Sequence, residues 1–206
     1  IAYVTPSHQF PTGAIMSISR RTELLNWANE NPDRYIVEDD YDSEFKYTGR
    51  PIPALKANDI NDKVIYLGSF SKSISPAIRV SYLVLPKALL NIYQRELPYF
   101  ICPVPTLNQK ILYRFIKDGY FVKHINKMRT LYKKKREFLV NTIKTYSSKI
   151  LNKEIQIQGA DAGLHMVIKL NQKIKHGQTE NINKEIEITK TRPGTVVPVS
   201  YTHLRA

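Results

Sequence analysis

The sequence contains very little cysteine and no long apolar run. Its single cysteine, Cys102, excludes a disulfide within the chain and favours a reducing compartment such as the cytoplasm. Because Cys102 lies between Ile101 and Pro103, we expect a buried structural thiol rather than a nucleophile. No apolar stretch approaches the roughly 20 residues that span a bilayer, and no signal peptide is visible in the first residues. These features argue against a disulfide-rich secreted protein and against a membrane protein.

Acidic residues are also scarce. The chain has 18 Asp and Glu against 31 Lys and Arg, which gives a net charge of +13. Such an excess could indicate nucleic-acid binding. The tract 133–136 belongs to a predicted amphipathic helix, however, so a solvated helix face is the simpler interpretation. With 42% hydrophobic and 24% charged residues in 206, the composition is that of one large or two modest globular domains.

The first half of the chain alternates between strand and helix patterns. A strand ends near Val4, a loop with two prolines and Gly13 follows, and Ser17 or Ser19 can cap a helix. The next apolar strand covers 35–37. Strand, helix and strand in this order predict a parallel α/β sheet, and ligands of such sheets bind beyond the carboxyl ends of the strands.

Acidic residues follow that second strand at Glu38, Asp39, Asp40 and Asp42. They could chelate a cation, but we find neither a glycine-punctuated calcium loop nor a histidine partner for them. A buried carboxylate at a strand end requires a positive partner, and the protonated nitrogen of a pyridine ring would be one. The phenol of Tyr41 could then bind a hydroxyl of the same ring. The simpler alternative for Asp39 is a helix cap or a loop turn.

A polar loop from Gly68 to Arg79 lies between two apolar runs, 64–67 and 80–85, which predict two short buried strands. We expect Lys72 to be partly desolvated there, and desolvation favours the neutral amine that attacks carbonyls. Its apolar neighbours are Phe70, Ile74 and Ile78. The alternative is an ordinary serine-rich loop with a solvated lysine.

Hydroxyls and a guanidinium accompany that lysine. Ser69, Ser71 and Arg79 are residue types that suit a phosphate. An amine beside a phosphate cradle suggests a phosphorylated aldehyde, pyridoxal phosphate, held as a Schiff base. Asp39, Tyr41 and Lys72 should then emerge at the same edge of the sheet.

The second half predicts helices and then strands. Helices are expected over 106–117 and about 120–146, and the second, with no proline or glycine, is long enough to bridge two domains. Strands near 154–157 and 164–168 indicate a smaller α+β domain from about residue 130. His165 on the last of these strands is interpreted as a core or interface histidine rather than a catalyst.

Four spaced motifs resemble a known family: SHQFPTG at 7–13, EDDYDSEF at 38–45, RPIPAL at 50–55 and GSFSK at 68–72. They are similar to the aminotransferase-like domain of MocR-type transcriptional regulators in the GntR superfamily. That domain is itself similar to fold-type I pyridoxal-phosphate aminotransferases. The resemblance covers about residues 3–170.

The resemblance implies a role for each matching residue. Lys72 would carry the Schiff base, Asp39 would pair with the pyridine nitrogen, and Tyr41 would contact the ring hydroxyl. The phosphate would be held by Ser69, Ser71 and Arg79. The turn and strand at 163–165 would pack near the site. Ordinary aminotransferases have Asn before Pro-Thr-Gly, whereas Phe10 stands there in this chain, which favours a sensor and leaves transamination open.

The resemblance also implies a partial α/β fold. Residues 1–129 would form the second half of the large cofactor domain, 130–190 a partial small α+β domain, and 191–206 a tail of doubtful origin. A winged helix-turn-helix and the first part of the cofactor domain would be missing, so a fragment that binds the cofactor poorly is a further hypothesis. The parent protein would be a cytoplasmic homodimer that binds an amino acid or amine, and DNA only through the missing domain. Arg50 is expected at the surface.

Overall fold

The computed structural model describes residues 1–49, 52–147, 155–170 and 196–200 of the chain. The strands are β1 (Ala2–Val4), β2 (Ile36–Asp40), β3 (Val64–Ser69), β4 (Ser81–Val84), β5 (Ile155–Gln158), β6 (His165–Leu170) and β7 (Val196–Ser200). The helices are α1 (Ile18–Asn29), α2 (Phe70–Ser73), α3 (Lys87–Glu96), α4 (Thr106–Lys117) and α5 (Tyr120–Tyr146). Short 3-10 helices cover Lys56–Asn58 and Pro76–Ile78.

The first sheet has the strand order β1-β2-β3-β4. β1 and β3 both run parallel to β2, whereas β4 is antiparallel to β3. The predicted strand–helix–strand unit is therefore confirmed, and the carboxyl ends of three strands meet at one edge. The second sheet, β5-β6-β7, is antiparallel throughout. Strand β7 lies within the range 191–206, for which the sequence analysis expected a tail of doubtful origin.

Helix α1 packs on the first sheet through a small apolar core. Ser17 caps the helix, since its hydroxyl accepts a hydrogen bond from the Arg20 amide at 3.4 Å. Four side chains form the centre of this core with no exposed surface: Ala28, Ile36, Leu55 and Val64. Burying a side chain such as Leu55 contributes about 2 kcal/mol, so this layer fixes α1 against β2 and β3.

Two buried charged groups organise the loops at the carboxyl edge. Arg21 donates hydrogen bonds to the carbonyl oxygens of Pro6 at 2.8 Å, Met16 at 3.1 Å and Pro53 at 2.9 Å. Glu38 accepts from the backbone amides of residues 55 and 56 at 2.8 and 2.9 Å. Burial lowers the pKa of Arg21 and raises that of Glu38. Both groups therefore hold loop backbone whose polar atoms would otherwise be unpaired.

The 27-residue helix α5 connects the two sheets. His124 Nε2 lies 3.0 Å from the Ser73 carbonyl oxygen, and Arg129 Nε donates to the Glu44 carbonyl at 3.0 Å. Farther along, Arg136 donates to the Ala160 carbonyl in the turn before β6. A second core lies under this helix and consists of Phe45, Ile125, Leu139, Ile143, Leu164, Met166 and Ile168. The prediction of a long helix over about 120–146 is confirmed.

Three expectations were wrong. All four residues of β4 are exposed, because this strand is the last one of its sheet and no described element covers it. The segment after β3 is not a plain loop, since Ser69 and Ser75 cap two short helices there. Cys102 is exposed, because it lies in the proline-rich connection between α3 and α4.

Arg50, which was expected at the surface, lies outside the described residues. No helix in the described part is long and apolar enough to cross a membrane.

Candidate functional site

The predicted site residues emerge at one edge of the first sheet. Asp39 is the penultimate residue of β2 and pairs in register with Leu67, and Tyr41 follows the last residue of that strand. Lys72 comes three residues after the end of β3, which runs parallel to β2. The expectation that Asp39, Tyr41 and Lys72 share an edge is therefore confirmed.

The turn after β3 presents the lysine on a single helical turn. Ser69 has an extended backbone, and its hydroxyl accepts a hydrogen bond from the Ser71 amide at 3.2 Å. Ser73 occupies the buried side of α2, so Lys72 faces outward and is exposed. The expected desolvation of Lys72 is not found among the described residues. An exposed amine at this edge is free to meet a carbonyl compound.

Arg79 ends the second short helix in a left-handed conformation. Its φ is +49°, which costs a residue with a side chain about 1 kcal/mol. The side chain is exposed, and none of the described contacts joins it to Ser69 or Ser71. The three phosphate candidates therefore share one connection, between β3 and β4, without touching one another.

Tyr3 is a site residue that the sequence analysis missed. It lies on β1, and its phenol donates a hydrogen bond to Asp39 Oδ2. This bond to a carboxylate raises the pKa of Tyr3 to about 12. The sequence could have predicted this role, because Tyr3 lies near the end of the predicted strand before β2, and neighbouring parallel strands bring such residues to one edge. The phenol restrains the carboxylate that was assigned to a pyridine nitrogen.

Tyr41 is turned toward the loop that follows β1. Its hydroxyl donates to the His8 carbonyl oxygen at 2.5 Å. Burial is the main cause that raises the pKa of Tyr41, and the carboxylate of Asp42 adds to it. Because the phenol proton is committed to a carbonyl, its remaining lone pair can accept a hydrogen bond from a ring hydroxyl.

A buried network lies behind this edge. His8 Nδ1 is 3.0 Å from Asp42 Oδ2, and His8 Nε2 is 3.1 Å from the Gly159 carbonyl oxygen. The same Asp42 oxygen accepts a hydrogen bond from the Leu164 amide at 3.1 Å. The expectation that these acids lack a histidine partner was wrong, because the partner lies 34 residues earlier in the chain. Gly163 touches this pair: a Cβ there would lie 1.8 Å from His8 Nδ1.

His165 completes the network. Its ring centroid is 4.1 Å from that of His8, and the edge of Phe10 packs at 5.4 Å. Burial lowers the pKa of His165 to about 4, and the positive charges of His8 and Lys72 act in the same direction. The interpretation of His165 as a core or interface histidine is confirmed. The site edge and the second sheet are thus in direct contact.

The residues present fit pyridoxal phosphate. Asp39 is half-buried with a phenol as its partner, so it can also accept a hydrogen bond from the N–H of a pyridinium ring. The exposed Lys72 amine can reach an aldehyde, and the hydroxyls and the guanidinium in the next turns match a phosphate. A candidate residue of suitable chemistry is thus present for each polar group of the cofactor.

Comparison with known proteins agrees with this chemistry. The family model for aminotransferase class I and II matches residues 4–200. The chain is 41% identical over 203 residues to the uncharacterized HTH-type transcriptional regulator YdeL of Bacillus subtilis. That match covers 98% of this chain and 42% of YdeL. It is 34% identical to the probable rhizopine catabolism regulatory protein MocR of Rhizobium meliloti, over 85% of this chain and 34% of that protein.

Among solved structures, the multiple substrate aminotransferase of Thermococcus profundus superposes with a TM-score of 0.80 and 26% identity. The match covers 98% of this chain and 51% of that enzyme. The chain thus spans about half or less of the length of the two regulators and the aminotransferase named above. The fold is that of fold-type I aminotransferases, and these similarities imply pyridoxal phosphate as the cofactor. The chain belongs to the class I and II aminotransferase family.

Proposed function

We propose that this chain is the effector-sensing domain of a MocR-type transcriptional regulator that binds pyridoxal phosphate. The observation that carries the proposal is the common edge at which Asp39, Tyr41 and Lys72 emerge. The identity of 41% to an HTH-type regulator along 98% of the chain favours regulation over metabolism.

Each residue has a defined task in this proposal. Bound pyridoxal phosphate supplies an aldehyde that bonds to amines and a ring that withdraws electrons. Lys72 would hold the aldehyde through its amine, and Asp39, oriented by Tyr3, would keep a proton on the ring nitrogen. Tyr41 would accept a hydrogen bond from the ring hydroxyl. The phosphate would be bound by Ser69, Ser71 and Arg79.

Sensing follows from competition at Lys72. An amino acid or amine effector would take the place of the Lys72 amine at the aldehyde and leave that amine free. The contact of α5 with Ser73, one residue away, offers a route by which this change can reach the rest of the fold. We propose that the parent protein is a cytoplasmic homodimer and that a separate N-terminal domain makes its DNA contacts.

The test is to map the attachment point of the cofactor. The chain is mixed with pyridoxal phosphate, reduced with borohydride and digested, and the modified lysine is identified by mass spectrometry. We expect a visible absorbance band and one dominant adduct, on Lys72. Lys72→Ala should abolish both, whereas Lys110→Ala, which removes an exposed lysine of α4, should change neither. Adducts spread evenly over the lysines would overturn the proposal.

A true aminotransferase is the second candidate. The likeness to a solved aminotransferase at a TM-score of 0.80 favours it, and so does the exposed Lys72 amine, which could move a proton between substrate and cofactor. The full-length protein loaded with cofactor is incubated with a panel of amino acids and a keto acid. Spectral change without product indicates a sensor, whereas repeated turnover indicates an enzyme.

A further inference from the structure

We propose that His8, Asp42 and His165 form a binding site for a divalent transition-metal ion such as Zn²⁺. The three side chains are buried, and one ligand atom from each lies within 4.8 Å of the others. They come from the loop after β1, the segment after β2 and the first residue of β6. These three residues differ from the ones proposed to bind the cofactor, so the proposed function does not require the ion.

The orientation of His8 is the first argument. Its Nε2 faces the Gly159 carbonyl oxygen at 3.1 Å, and a carbonyl only accepts, so Nε2 carries a hydrogen. His8 Nδ1 therefore points its lone pair or a proton at Asp42 Oδ2, 3.0 Å away. A histidine that binds a metal through one nitrogen usually donates its other N–H to a carbonyl or carboxylate. His8 already has this arrangement.

His165 provides an independent observation. The residue is only 7% exposed, and its Nε2 has no hydrogen-bond partner within the described part of the chain. A buried ring nitrogen of this kind is available to bind a ligand. Its ring lies 4.1 Å from the His8 ring, so a ring nitrogen can join the other two ligands with a small side-chain rotation.

The ligand types select the class of metal. Two imidazoles and one carboxylate suit Zn²⁺, Co²⁺ or Ni²⁺, whereas Ca²⁺ and Mg²⁺ prefer oxygen ligands alone. Three protein ligands leave the fourth position of a tetrahedral ion for water. Gly163 closes one side of the site, where a Cβ would lie 2.3 Å from Asp42 Oδ2, so the ion would enter from the side of His165.

Metal binding would tie together separate parts of the chain. His8 Nδ1 and Asp42 Oδ2 lie 3.0 Å apart, which is close enough for both atoms to bind the same ion. The ion would join the loop after β1 and the segment after β2 to the first residue of β6. Because the unfolded chain does not assemble the site, the metal should raise the melting temperature.

The test uses the chain freed of metal by EDTA and titrated with CoCl₂, followed by competition with ZnCl₂. We expect one ion per chain, the visible absorption of four-coordinate Co²⁺ and a higher melting temperature. His165→Phe should weaken Co²⁺ binding at least tenfold. The matched control is His124→Phe on α5, which removes a histidine outside the cluster and should leave binding unchanged.

A second measurement keeps the proposal falsifiable if His165→Phe does not fold. Imidazole NMR signals of the unaltered chain should shift for His8 and His165 on adding ZnCl₂, and stay in place for His124. A variant without the two remaining histidines, His176→Ala with His203→Ala, should bind as the parent does. The proposal is wrong if no ion binds, if His165→Phe binds equally well, or if the double variant loses the ion.

Discussion

Glu44 lies four residues beyond the end of β2 and is half-buried. Its Oε2 atom has no hydrogen-bond partner among the described residues, and the carboxylates of Asp40 and Asp42 are close enough to repel its charge. Burial, the largest cause, raises the pKa of Glu44 to about 7. The folded protein therefore favours the protonated carboxyl, and the ionised form is a local source of instability.

The free energy of unfolding should fall as the pH rises, because of Glu44. An unfolded glutamate has a pKa of about 4.3, so the folded state binds the proton more tightly, and the stability from protonation is lost as pH rises through 7. Glu44→Gln should raise the free energy of unfolding at pH 8 by on the order of 2 kcal/mol and change it little at pH 4. Urea unfolding at both values measures this. The exposed Glu137→Gln serves as the control, and an equal gain at both pH values would contradict the argument.

At the residue scale, the sequence could predict those site residues that follow strands directly. Asp39, Tyr41 and Lys72 each lie at or just beyond a strand end, so a parallel sheet brings them to one edge. The pairing of His8 with Asp42 could not be predicted in this way, because a loop carries the histidine and only the tertiary fold aims it. The exposure of Lys72 also depends on which side of a single helical turn is buried.

At the scale of elements, the junction between the two sheets depends on glycine. Gly163 has φ of +67°, and a Cβ there would collide with His8 Nδ1 and Asp42 Oδ2. Gly119, between α4 and α5, has a similar φ of +76° but nothing within 4 Å of the same position. The two glycines therefore share the backbone strain and differ in the steric contact.

Their comparison gives a prediction for this junction. Gly119→Ala should cost about 1 kcal/mol, from the left-handed backbone alone. Gly163→Ala should cost at least about 2 kcal/mol more, because the buried His8–Asp42 pair must separate. Urea unfolding monitored by circular dichroism gives both values. Equal losses for the two substitutions would show that the contact at His8 is unimportant.

The long helices were predictable to the residue, whereas the short elements were not. Pro105 and Gly119 bound α4, and α5 contains no residue that interrupts a helix, so local signals decide their limits. Helix α2 and the turn at Pro76–Ile78 are single turns held by serine caps and by their place beside β3. The prediction that β4 is a buried strand was wrong, because an apolar run does not reveal whether another element covers the strand.

At the scale of the whole molecule, an apolar surface covers α3, α4 and the connection between them. We call it the α3–α4 surface. Its exposed members include Leu90, Ile92, Tyr93, Tyr99, Phe100, Ile101, Leu107 and Ile111. Tyr99 is 92% and Ile101 is 90% exposed. Exposed apolar side chains concentrated on one stretch of chain favour an interaction site, which is in line with the proposed homodimer.

The surface can be tested by its effect on self-association. Ile101→Ser combined with Ile111→Ser should weaken association of the chain at least about tenfold, measured by sedimentation, because central apolar residues dominate such interfaces. The melting temperature should change little, since both side chains are exposed. Ile60→Ser is the matched control, as Ile60 is 95% exposed and lies outside the α3–α4 surface. Unchanged association in the double variant would exclude this surface as the interface.

The bond between His8 and the Gly159 carbonyl joins residues that are 151 positions apart. During synthesis the loop after β1 leaves the ribosome 151 residues before its partner. At about 5 to 20 residues per second, the loop waits roughly 8 to 30 seconds for the turn that holds it. The strand ends that present Asp39, Tyr41 and Lys72 are therefore made well before the turn that packs behind His8. The contact between the two sheets is in this sense formed late relative to the edge that it supports.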